Sequence, residues 1–306
     1  MDNLFLVARQ VAILFVLMGF GALMRKTKLV KENAIDSLVN ILILVVTPCL
    51  IIDVFQRPFN ASMLNGLGSA FVFSVAIHLG MILLANFFVK NQNVNLQQPL
   101  RLAVVFSNAG FMGVPLEQAV LGDIGVFYGI VYVVVFNLVI WSWGLKTMSG
   151  GMNRFKMWIN PGTVGIALGA PLFFCSMKLP AVIAVPVHHM ANLNTPLAMI
   201  VIGYCLVGAR FGQVMKTREV YLAALLRLVM CPLLAILLLF PFRHEFDRNM
   251  MLSIVIAASA PVAAMVSMFA TKFNRDVDAS VTIVSGTTLL SIMTMPIIIA
   301  FAMGIL

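Results

Sequence analysis

Charge is what this chain has least of. Lys, Arg, Asp and Glu make up 10% of its 306 residues, while 61% are hydrophobic and the mean hydropathy is +1.03. Values so far from the soluble average exclude an ordinary globular domain and a disordered chain alike. They describe a protein whose solvent is lipid. Cysteine is sparse as well: Cys49, Cys175, Cys205 and Cys231 are dispersed through apolar segments. Without the close pairing that a metal site or redox motif needs, they read as small hydrophobes. Catalytic signatures are missing too. There is no HExxH, no GxSxG with a plausible His partner, no pair of intramembrane aspartates and no Gly-rich phosphate loop. His188-His189 is the only histidine pair, and adjacent residues do not share a helix face. Neither an enzyme nor a cofactor is expected.

What charge there is leans positive, with 20 Lys and Arg against 11 Asp and Glu and a net charge of +9. Such an excess suits nucleic acid or cytoplasmic loops, and its distribution decides between them. About 20 mostly apolar residues cross a ~30 Å hydrocarbon core, and apolar runs near 4–24, 35–55, 66–89, 101–120, 124–145, 162–178, 190–209, 220–241, 249–270 and 279–303 predict ten spans. The first run ends in "RKTK" without a small-residue cleavage site and is expected to remain as a span. Odd-numbered connections carry 14 Lys and Arg and even-numbered ones 4, while Arg9 and Arg227 fall within spans. Odd connections therefore belong in the cytoplasm and both termini outside, and no nucleic-acid partner is implied.

The longest polar connection, "KTMSGGMNRFKMWINPG", falls at mid-chain with five spans on each side. Five is odd, so a second copy of a five-span unit enters the membrane inverted, the plan of many secondary transporters. The expected fold is an all-α polytopic membrane protein: residues 1–146 form a first five-helix repeat, 147–161 a cytoplasmic linker and 162–306 a second, inverted repeat. Helix breakers recur on that scheme. Thr47-Pro48 in the second span and Thr195-Pro196 in the seventh are 148 residues apart. "SNAGFMGVP" in the fourth span and "AASAPVAAM" in the ninth align with Asn108 opposite Ser259, an offset of 151.

Broken backbone at membrane depth survives where it is buried in protein or lines a cavity. One reading of the fourth and ninth spans is therefore a binding site, in which freed amides at half-helix N-termini suit a carboxylate. No basic residue lies in either break, so an anion there would rely on backbone amides with Ser107, Asn108 and Ser259. The other reading is a pair of packing kinks, with Gly110 and Gly113 as small contact residues.

The chain also resembles a known family, that of the auxin efflux carriers, in its short bacterial form. "LMGFGALMRKTKL", "TPCLIIDVF", "SNAGFMGVPL" and "YGIVYVVVFNLVIWSWG" carry the likeness through the first half. "NPGTVGIALG", "NLNTPLAMIVIGYCLVG" and "ASAPVAAMVSMFATKFNRDVDASVTIVSGTTLLSIMTMPIII" continue it in order. The resemblance implies ten helices in two inverted repeats, with helices 4 and 9 crossing at their unwound prolines and Gly110, Pro115 and Pro261 near the crossing. It implies a scaffold of helices 1, 2, 6 and 7 through which two copies dimerise, and a transport domain of helices 3–5 and 8–10 that moves as an elevator. Members carry small organic anions, malate- or malonate-like or aromatic carboxylates. Asn108 matches the family asparagine associated with the substrate carboxylate; Phe111, Met112 and Met265 would supply apolar walls. A bacterial cytoplasmic membrane location follows, with lipid as surroundings. A channel or a transporter-like sensor is the alternative function.

Other polar residues inside spans have two readings each. Asn137 either faces substrate or is structural, and Trp141 and Trp143 suit interfacial anchors. Ser285, Thr287 and Thr288 suit helix packing with hydroxyls bonded to their own backbone. His78 is either a proton relay or a satisfied core residue, and Arg227 either snorkels or pairs. Asp53 and Glu117, near predicted span ends, either bind a coupling H+ or Na+ or sit at the interface. Asp276 and Asp278 suit helix capping. Because the breaks hold no carboxylate, sodium/proton exchange is not expected as the principal function.

Overall fold

The computed structural model describes residues 2–57, 61–149, 161–207 and 218–306. Helix accounts for 86% of the structure and the described residues form no strand, as lipid demands of a backbone that must satisfy its own polar groups. Seven helical stretches are long and apolar enough to span: Leu4–Lys26, Ser37–Val54, Met63–Phe88, Asp123–Ser149, Ala181–Val207, Arg218–Phe242 and Val277–Ile305. They match the expected spans 1, 2, 3, 5, 7, 8 and 10. The expected linker falls mostly on 150–160, outside the described residues.

Three of the ten expected spans are not single long helices. The sixth is α9 (Pro161–Phe174), 14 residues. The fourth is split into α5 (Val94–Val105) and, beyond Phe106–Asn108, a π turn at Ala109–Gly113 leading into α6 (Val114–Leu121). The ninth is split into α14 (Arg248–Ser259) and α15 (Met265–Lys272). At 1.5 Å per residue none of these pieces crosses the hydrocarbon alone.

The other expected interruptions are milder. The second span runs through α2 (Glu32–Ile41), a π turn at Leu42–Val46 and α3 (Thr47–Val54) without leaving the helix. Pro48 has no N–H to donate, and the ladder widens just before it while Thr47 Oγ1 donates to the Leu42 carbonyl at 2.9 Å. Thr47-Pro48 is thus a bulge rather than a break. The seventh span is α10 (Ala181–Asn192) and α11 (Asn194–Val207), joined by a turn at Leu193. It starts at Ala181 and not near residue 190, because His188, His189 and Asn192 dilute an apolar stretch that is nonetheless helical.

Packing divides the helices into two sets. In one, α1 (Asp2–Lys26) lies along α11, while α3 packs on α9 and α10. Backbones touch there: a Cβ on Gly21 would strike the Ile200 carbonyl, and one on Gly203 the Met18 carbonyl. Small residues permit that approach. In the other set, α4 (Ala61–Phe88) packs on α5 and on α7 (Asp123–Val139), and α14 packs on α7, α13 (Cys231–Leu239) and α16 (Val277–Ile305). α14 is the innermost helix, buried at every position from Met250 to Ser259. The two sets meet where α1 touches α6 and α16 and where α11 touches the π turn at Ala109–Gly113.

Candidate substrate site

Local chemistry explains both breaks. Pro261 cannot donate a hydrogen bond and forces the residue before it out of the helical region, so Ala260 is extended at φ −62° and ψ 148°. In the other break Phe106 is extended at φ −102° and ψ 106°, and the chain re-enters helix at Asn108, whose carbonyl accepts from the amides of Met112 at 2.9 Å and Gly113 at 3.1 Å. The freed groups find each other. Ser107 and Val262 form an isolated antiparallel bridge, in which the Asn108 amide donates to the Pro261 carbonyl at 2.7 Å and the Ala263 amide to the Phe106 carbonyl at 2.9 Å. The Val262 amide donates to Thr287 Oγ1 of α16 at 3.2 Å.

Ser107, Asn108 and Pro261, named from sequence, are therefore brought together by main-chain bonds. Asn108 is 6% exposed and its side chain caps no amide. Gly110 and Phe111 on one break and Ala264 and Met265 on the other are half-exposed, and a Cβ on Gly110 would meet nothing within 4 Å. Open space thus adjoins the paired backbone. Pro115 is buried at the start of α6.

Other sequence candidates have partners in their own helix or in the core. Ser259 Oγ donates to its own helix, at the Val255 carbonyl, over 2.6 Å. Met112 is fully buried, with Ser291 Oγ 4.0 Å from its sulfur, and serves as core rather than wall. Asn137 Nδ2 donates to the Val133 carbonyl at 2.8 Å. Trp141 stacks edge-on to Phe269 and Trp143 lies against Phe106, so both expected anchors have ring partners inside the fold. Thr288 bonds to its own helix as expected, whereas Thr287 also serves the break.

The titratable candidates are dispersed. Asp53 is not isolated: its Oδ2 lies 3.0 Å from His188 Nδ1, whose Nε2 lies 3.0 Å from Asn192 Nδ2. His78 is fully buried, with Nδ1 2.8 Å from the Ser74 carbonyl and its ring 4.7 Å from that of Tyr132. Glu117 lies near the end of the fourth span, as expected, in α6. It is fully buried with neither carboxyl oxygen hydrogen-bonded, against Gly129, where a Cβ would collide with it. No group of three His, Cys, Asp or Glu among the described residues is arranged to hold a metal.

Of the two readings of Arg227, pairing holds. Arg227, in the eighth span, is fully buried and donates to the Val104 and Val105 carbonyls and to that of Ala258. A cation thus touches both breaks although neither contains one. The signal was its placement, an arginine inside an apolar run; its target was not readable.

Seven helices long and apolar enough to span, with two broken ones that pair through their backbone, describe a multi-pass membrane protein. The family model described as "Membrane transport protein" matches residues 6–157, and that described as "Sodium Bile acid symporter family" matches 197–306. Both matches are to membrane transport families, which supports a secondary membrane transporter and is consistent with the auxin efflux carrier type that the motifs suggest. No match is found among curated proteins.

Proposed function

We propose that the protein carries small organic anions, malate- or malonate-like or aromatic carboxylates, out of the bacterial cytoplasm or in exchange, by elevator-type alternating access. The observation that supports this best is the backbone pairing of the breaks at Ser107 and Val262 beside open space at Gly110. The substrate carboxylate accepts hydrogen bonds from Asn108 and from amides freed at the breaks, and Phe111 and Met265 line the apolar part. Helices 1, 2, 6 and 7 form the scaffold and helices 3–5 and 8–10 the moving domain; the division of packing around α1 and α11 on one side and α14 on the other supports that assignment. Ten spans in two inverted repeats, both termini outside and a homodimer joined through the scaffold complete the reading. Glu117, two residues beyond Pro115 and buried without a hydrogen-bond partner, is the group best placed to couple movement to H+ or Na+.

The test is uptake by liposomes holding the purified protein, with labelled dicarboxylates and aromatic acids, beside Asn108→Ala. Saturable uptake by the wild type that falls in the variant supports the reading. Absence of carboxylate flux above empty vesicles sinks it, and unsaturable ionic conductance would indicate a channel instead.

A further inference from the structure

Arg227 lies in the π turn Leu226–Met230 between α12 (Arg218–Leu225) and α13. A buried guanidinium is costly unless its donors are used, and the carbonyls it uses form a pattern. Nη1 donates to the Val104 and Val105 carbonyls at 2.9 and 3.2 Å, and Nη2 donates to Ala258. Each acceptor stands in the last turn of a half-helix. Val104 would ordinarily receive the Asn108 amide, which instead bonds Pro261; Ala258 would ordinarily receive the Val262 amide, which instead bonds Thr287. One side chain therefore replaces helical donors that both breaks removed.

The charge matters as much as the bonds. A helix broken in the membrane presents a negative end and a positive end, each about half an elementary charge. Two breaks side by side hold two of each and favour neither anion nor cation. Arg227 adds a full positive charge at the two negative ends, and among the described residues no carboxylate pairs with it. The groups facing it are Met81, whose sulfur is 3.6 Å from Nη1, together with Tyr132, His78 and Cys231.

We infer that Arg227, without touching substrate, is the positioning residue that makes the paired breaks select anions: it caps the carbonyl ends of α5 and α14 and cancels their negative half-dipoles. The anion part of this inference rests on the function proposed above.

Four proteins test it: wild type, Arg227→Lys, Arg227→Gln, and the double variant Arg227→Met with Met81→Lys, which moves the charge to the neighbouring helix. Binding of a carboxylic acid is compared with that of its neutral amide, by ligand-induced thermal stabilisation. Backbone hydrogen exchange is followed over 104–113 and 258–266. The wild type and Arg227→Lys should prefer acid over amide, and Arg227→Gln should lose that preference by roughly tenfold while exchange rises at both segments. The double variant should recover the preference. A purely structural role would lower stability in Arg227→Gln but weaken acid and amide equally, which overturns the inference. So does a double variant that fails to fold or shows no preference for the acid. If the wild type binds neither acid nor amide, the carboxylate reading falls by itself; exchange rising at only one segment in Arg227→Gln then refutes the capping as well.

Discussion

The amide of Asn108 donates to the carbonyl of Pro261 across 2.7 Å, joining residues 153 positions apart in the chain. Each belongs to a helix that its own sequence interrupts, and each supplies what the other's interruption left unpaired. Because this bond is made by the main chain, the Asn108 side chain is spared. Asn108→Ala should therefore leave thermal stability within about 1 kcal/mol of wild type while weakening carboxylate binding about tenfold or more, the worth of a hydrogen bond to a charged group. Thermal melts with and without substrate measure both.

Thr287 and Thr288 are adjacent and chemically identical but differently used. Thr287 Oγ1 accepts from the Val262 amide while donating to the Ile283 carbonyl, and Thr288 donates to its own helix at Val284. Thr287→Val leaves a buried amide unpaired and should cost about 1–3 kcal/mol. Thr288→Val should cost less, and chemical denaturation of the two variants in one detergent gives the comparison.

Close approach of α1 and α11 requires glycine. Gly203→Val should lower the melting temperature sharply, since overpacking costs about 1–3 kcal/mol and here the obstacle is backbone. Gly19→Ala, on α1 but with nothing within 4 Å of the added Cβ, should melt like the wild type.

The Glu117 carboxyl occupies the space that a side chain at position 129 would need. Gly129→Ala should be destabilising alone, and Glu117→Ala should relieve the clash. A double-mutant cycle on melting free energies should then give a coupling of about 0.5–3 kcal/mol; an additive cycle would place the carboxyl elsewhere.

Of the two aspartates in "NRDVD", Asp276 caps α16 by accepting from the Ala279 amide at 2.9 Å, and Asp278 lies in the first turn. Asp276→Ala should cost about 1 kcal/mol and Asp278→Ala a few tenths.

Much of this was decided by the sequence. Hydropathy fixes the solvent, because no other environment pays back the burial of so many apolar residues with so few charges. Pro261 dictates a broken helix, since proline lacks an N–H and constrains its predecessor, and Ser107, Asn108 and Gly110 are weak helix formers. Matched offsets made the two breaks a pair before their contact was known. Tertiary structure decided the rest. It demoted Thr47-Pro48 to a π bulge, because a threonine hydroxyl and a widened ladder satisfied the backbone locally. Met112, Ser259 and Asn137 each found a partner in the core or in its own helix. Glu117, near the end of its span, was buried against Gly129, and Asp53 gained His188, from a helix far along the chain. Arg227 is the clearest case: its position in an apolar run announced an unusual residue, but the three carbonyls it serves lie on two other helices. A side chain's own sequence cannot specify partners that only packing brings within hydrogen-bonding distance.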